Sequence, residues 1–75
     1  MEHEFEQEYK QIGLKIAYYR KLRGLTQEGL AEKLGVATSY IGQIEAVGMY
    51  KPISLTTLLR ISKALDTTAY KFLDF

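Results

Sequence analysis

Seventy-five residues with 47% apolar content make one small domain, too short for a second core or for a deep substrate cleft beside a packed interior. The absence of cysteine excludes disulfides and thiolate metal sites. No apolar run approaches the roughly 20 residues of a membrane helix, and the acidic start from Met1 to Glu8 is unlike a signal peptide, so the expectation is a soluble, cytoplasmic binding module.

The formal charge of +1 is unevenly spread. Glu2, Glu4, Glu6 and Glu8 precede the first basic residue, Lys10; from there to Phe75, ten basic and five acidic residues leave +5. Such a balance permits a polyanionic partner without requiring one. Residues 1–9 form an acidic N-terminal extension or the start of the first helix, and the whole of 1–75 is expected to be a single domain.

Phe5, Tyr9, Ile12, Ile16, Tyr19 and Leu22 recur at helical spacing and predict a first amphipathic helix, ended by Gly24 in a left-handed cap. Thr26 is a suitable N-cap for a second, short helix, with Gln27 and Glu28 at the positive end of its dipole and Leu30, Ala31 and Leu34 facing inward before Gly35 stops it. Val36, Tyr40, Ile41 and Ile44 follow so closely that only a tight turn can join the second helix to the third. A loop bracketed by Gly48 and Pro52 leads to Ser54, the expected cap of a fourth helix carrying Leu55, Leu58, Leu59, Ile61 and Leu65. Thr68 is expected to cap a fifth, presenting Phe72 and Leu73. No segment alternates as a strand would, and the prediction is an all-α, compact five-helix bundle.

The third helix has an unusual outer face. Tyr40, Ile41 and Ile44 gather on one side, and Thr38, Ser39, Gly42, Gln43 and Ala46 on the other. A merely solvated face carries Lys, Glu or Gln, whereas here Gly42 costs about 1 kcal/mol relative to alanine. Small residues let a backbone approach a large partner, and Thr38, Ser39 and Gln43 offer neutral donors and acceptors; glutamine can pair with adenine at N6 and N7, and serine or threonine with several base edges. Two readings of Gly42 stay open at this stage: close approach to a partner, or relief of crowding against the first or second helix.

The run from Leu25 to Val36 (LTQEGLAEKLGV), the run Ser39 to Glu45 (SYIGQIE) and the downstream Leu55 to Leu65 (LTTLLRISKAL) resemble, in that order, the helix-turn-helix core of the phage-repressor/Cro-like (Xre) family of DNA-binding regulators, over about Ile12 to Leu73. The resemblance implies a lambda-repressor-like DNA-binding domain. It implies that Thr38, Ser39 and Gln43 read bases, that Gln27, with its free side-chain amide, Tyr40 and Lys51 contact the DNA backbone, and that Arg20 and Glu45 form a buried salt bridge; neither of those charges should be left unpaired if buried. The chain departs from the family pattern at Ala37, where Ser or Thr usually caps the third helix, so either the cap is lost or it moves to Thr38. It departs again in a longer Ala46–Ile53 loop with one positive charge, and at Asp66, which replaces a glycine and enters the left-handed region more readily than most residues.

No His pair, activated serine or phosphate-binding glycine loop is present, so no enzyme, cofactor or small-molecule substrate is expected. The glycines read as helix stops plus one recognition-face residue. His3 between Glu2 and Glu4 reads as a solvated terminus in preference to a metal ligand, and Tyr18, Tyr50 and Tyr70 read as core or rim in preference to stacking platforms. The expected function is a sequence-specific double-stranded DNA-binding transcriptional regulator, repressor-like, acting as a homodimer on a near-palindromic site. Phe72, Leu73 and Phe75, or the loop at Met49 and Tyr50, are the candidate dimer surfaces. The alternative is a protein-interaction module of the same fold, antitoxin-like or polymerase-binding, with weak or no DNA binding.

Overall fold

Apolar side chains at a 3.6-residue period are satisfied by helices that bury one side. The computed structural model of the chain, which describes residues 4–75, contains four such helices and no strand among those residues. They are α1 (Glu6–Leu22), α2 (Gln27–Leu34), α3 (Thr38–Glu45) and α4 (Leu55–Ala64), followed by a 3₁₀ turn at Ala69–Phe72. Glu2 and His3 lie outside the described residues, and with them the imidazole weighed as a ligand. Among the described residues no helix is long and apolar enough to cross a membrane.

The helix boundaries have local causes. Thr26 Oγ1 accepts the Gly29 N–H at 2.9 Å and Ser54 Oγ accepts the Thr57 N–H at 3.1 Å, so α2 and α4 each begin with one orphan donor satisfied. Gly24, Gly35 and Asp66 sit in the left-handed region at φ +74°, +70° and +50°. The next residue's N–H then turns back to a carbonyl of the helix just ended: Leu25 to Arg20, Val36 to Ala31, Thr67 to Ser62.

The predicted stripe of α1 is buried only at its centre. Ile12 and Ile16 are in the core and Tyr9 and Tyr19 are half-buried, but Phe5 and Leu22 are exposed, because a 17-residue helix of about 25 Å overhangs so small a core. Leu55 and Leu59 of α4 likewise face outward, and Leu58, Ile61 and Leu65 supply its buried side. The expected fifth helix is a single 3₁₀ turn, Ala69–Phe72, with Thr68 at its N-cap position, and not an α-helix. Thr68 makes no side-chain cap bond, and the Lys71 and Leu73 N–H groups bond three residues back, to Thr68 and Tyr70. One tight turn suffices to deliver Phe72, and nucleating a longer helix would gain little. Phe72 is fully buried, its ring edge-on to Tyr19 at 5.4 Å, so it is a core residue and is withdrawn from the predicted dimer patch; Leu73 and Phe75 remain exposed.

Ile16, Leu30, Ile41, Ile61 and Leu65 join Phe72 as the fully enclosed side chains, so every helix contributes to one core. Where α1 crosses α3, a Cβ on Gly13 would lie 2.1 Å from the Ile44 carbonyl oxygen. Gly13 is therefore neither a helix stop nor a recognition residue, contrary to the sequence reading of the glycines: it is where two backbones touch.

Candidate nucleic-acid interface

With its inner side fixed by Ile41 and Ile44, α3 must turn its other side to solvent, and Thr38, Ser39 and Gln43 are all exposed there. Ser39 and Gln43 are four residues apart and so are neighbours on the helix surface. The N-cap is Ala37, which has no capping bond, and Thr38 is the first helical residue. Of the two outcomes open at Ala37, the cap is lost, and the Thr38 hydroxyl stays outside any capping role.

Gly42 lies beside this row. A Cβ there would meet only the Gln27 side-chain oxygen, at 3.6 Å, an ordinary contact. The protein's own packing does not demand glycine at 42, so crowding does not account for it.

The orientation of α3 is set by one buried carboxylate. Glu45 Oε2 accepts from Arg20 Nε at 2.8 Å, and Glu45 Oε1 accepts from Arg20 Nη2 at 2.9 Å and from Gln27 Nε2 at 3.0 Å. Arg20 Nη1 also donates to the Leu25 carbonyl at 2.7 Å. The Arg20 and Glu45 side chains are 8% and 5% exposed, so this two-point pair, shielded from water, ties α1 to the end of α3. The hydrogen bond to Glu45 raises the Arg20 guanidinium above its ordinary range, outweighing the opposite effect of burial, and Arg20 stays charged. The salt bridge predicted from the resemblance is present. The Gln27 amide, however, is not free: one of its N–H groups is held by Glu45, which fixes the side chain over Gly42.

Tyr40 and Lys51, the remaining predicted backbone contacts, come together at the edge of α3. Both are half-buried, and the Lys51 ammonium lies 5.8 Å from the centre of the Tyr40 ring. The loop that carries Lys51 is pinned by buried Ile53 and by Tyr50, whose ring stands edge-on to Tyr9 at 6.0 Å. Tyr18 and Tyr70 are exposed on the other side of α1 and take no part in this face.

Two arginines that sequence reasoning passed over also fix the frame. Arg23 donates from Nε to the Leu65 carbonyl at 2.7 Å and from Nη2 to the Asp66 carbonyl at 2.9 Å, closing the end of α4. Arg60 Nη2 donates to the Leu34 carbonyl at 2.8 Å, closing the end of α2. Nothing local marks them, since each partner lies tens of residues away in sequence. Among the described residues there is no group of three or more His, Cys, Asp or Glu that could hold a metal ion.

Comparison with known proteins places this geometry. The family profile described as helix-turn-helix matches residues 16–72. The chain is 41% identical over 63 residues to the HTH-type transcriptional regulator SinR of Bacillus subtilis (strain 168), covering 84% of this chain and 56% of that protein. The chain thus spans about half the length of this curated relative. Among solved structures, the master regulator for biofilm formation SinR in complex with DNA superposes with a TM-score of 0.74 at 41% identity, covering 84% of this chain and 98% of the other. The restriction-modification controller protein C.AhdI from Aeromonas hydrophila superposes with a TM-score of 0.78 at 29% identity, covering 88% and 97%.

Proposed function

This chain belongs to the helix-turn-helix family, and from that premise we propose that it is a sequence-specific double-stranded DNA-binding transcriptional regulator, repressor-like, that reads the major groove with α3. The observation that carries this reading is the outer face of α3: a row of short neutral hydrogen-bonding side chains beside a glycine that the monomer does not need. Relatives named as transcriptional regulators, one of them solved with DNA, support it.

In this reading Thr38, Ser39 and Gln43 meet base edges, and Gly42 lets the helix axis come close. Gln27 offers its second amide N–H to a phosphate, and Tyr40 and Lys51 contact the same backbone further along. Phosphate contacts position the protein and base contacts specify the site. The buried Arg20–Glu45 pair, with half-buried Gln27 bonded to it, holds α2 and α3 at a fixed angle, so that little ordering is left to do on binding.

One short recognition helix reads only a few base pairs, so the working unit is a homodimer on a near-palindromic site with half-sites about 34 Å apart. The favoured dimer surface is the apolar face where Leu73 and Phe75 stand beside Phe5 and Leu55, all exposed. Selection of bound sites from random duplexes tests the reading. A near-palindromic consensus is expected, with sedimentation showing two chains per duplex. Uniform, salt-sensitive binding with no consensus contradicts base reading, and one chain per duplex contradicts the dimer.

A further inference from the structure

The backbone contacts proposed above end at Tyr40 and Lys51, yet positive charge continues past them. A shallow depression beside α3 is lined by Leu34, Val36, Tyr40, Thr57 and Arg60. A second is lined by Lys33, Leu34, Arg60, Lys63 and Ala64, and because Leu34 and Arg60 border both, the two form one continuous trough. Lys51, over the ring of Tyr40, stands at its near end, and Lys33 and Lys63 stand at its far end.

No carboxylate lines either depression. Lys33 and Lys63 are exposed and take part in no ion pair among the described residues. Arg60 is anchored by one N–H on the Leu34 carbonyl, which leaves its other guanidinium N–H groups directed to no protein acceptor among the described residues. Three cations lining one depression repel one another, and the repulsion is relieved by a bound polyanion.

We propose that Arg60, Lys33 and Lys63 form a second phosphate-contacting track, along which the DNA backbone continues from Tyr40 and Lys51 to the α2–α4 junction, beyond the bases that α3 reads. The inference rests on the DNA-binding reading. A nucleic-acid backbone is favoured over an acidic peptide because the trough begins at the two residues proposed above to contact that backbone, and because a duplex presents negative charge at regular, closely spaced intervals along its whole length. The track also explains how a recognition face with a single nearby lysine can hold a duplex: the charge that the loop lacks is supplied by α2 and α4.

The test is the salt dependence of affinity for the selected duplex, measured for the wild-type chain, for Lys33→Gln/Lys63→Gln and for Lys71→Gln. Arg60 is left intact because it closes the end of α2. Lys33 and Lys63 make no bond whose loss would disturb folding, and Lys71 is exposed near Lys15 and Tyr70, away from the trough. The double variant is expected to lower the slope of log affinity against log salt by about 2 and to weaken binding roughly tenfold at moderate salt with base preference unchanged. Lys71→Gln is expected to keep the wild-type slope. Trimming the base pairs that flank the consensus should erase the difference between double variant and wild type.

A double variant with the wild-type slope overturns the track while leaving α3 reading intact, and frees the trough for an acidic protein partner. An equal fall in slope for Lys71→Gln overturns it as well, by assigning the effect to net charge. A wild-type chain that selects no duplex brings down the DNA-binding reading itself, and the track with it.

Discussion

The two sides of α3 pass through opposite environments within eight residues. On the inner side Ile41, Ile44 and Glu45 are buried, the Ile44 carbonyl touches the α1 backbone at Gly13, and the Glu45 carboxylate accepts three hydrogen bonds. On the outer side Thr38, Ser39 and Gln43 are exposed, and Gly42 has room for a side chain that it does not carry. The inner side is explained by the fold, whose loss it would cause. The outer side is not, and under the DNA-binding reading proposed above its residues answer to the partner. Substitution should therefore separate the sides: inner changes cost stability, and outer changes cost affinity.

The largest effect is expected at Glu45. Glu45→Ala leaves the Arg20 guanidinium buried without its partner and should cost about 3–5 kcal/mol. A domain of this size has only roughly 4–11 kcal/mol to lose, so chemical denaturation should show a greatly lowered midpoint or a largely unfolded chain. A loss under about 1 kcal/mol would mean that water solvates the pair.

Two of the helix glycines, Gly13 and Gly42, make the sharpest contrast. In an exposed helix interior, Gly→Ala gains about 1 kcal/mol. Gly13→Ala should reverse that sign and destabilise by about 3 kcal/mol, since backbone atoms of α3 must move to admit the methyl group. Gly42→Ala should keep the sign and stabilise by up to about 1 kcal/mol, while lowering affinity for the selected duplex. Thermal unfolding and a binding titration on the same two preparations decide it. If both variants are destabilised alike, the two sides of α3 do not differ as described.

How much of this could be read in the sequence depended on whether a feature is local. Thr26, Ser54, Gly24 and Gly35 act within a turn of where they stand, and their caps and left-handed exits were legible; so was Asp66, which reaches φ +50° as its side-chain chemistry permits. Gly13 was misread because its reason is a carbonyl on another helix. Arg60 and Arg23 were missed for the same cause, being held by carbonyls 26 and 42 positions away. The Arg20–Glu45 pair was legible only through the resemblance, since hydropathy places both beside the core but cannot say that they meet. Gln27 was placed correctly on α2, but its tie to Glu45 needs the α2–α3 angle, which no periodicity encodes. The exposed row on α3 was legible from helical phase alone, although the fate of Ala37 as an empty cap was not.

The smallest effect sharpens the contrast from outside the helix. Lys51→Ala should leave stability within about 0.5 kcal/mol, because its ammonium stacks on Tyr40 at a half-exposed site. It should weaken all sequences alike and lower the salt slope by about 1. A change of base preference in Lys51→Ala would move the loop from holding to reading.

The most direct measurement is the affinity of Gln43→Ala for the preferred duplex and for each single-base variant of it, with unfolding followed on the same protein. The predicted result is a loss of roughly 1–3 kcal/mol on the preferred site, relaxed preference at one base pair, and an unfolding curve that overlays the wild type. Unchanged affinity and unchanged preference in a folded Gln43→Ala protein would contradict the assignment of the outer face of α3 to base reading.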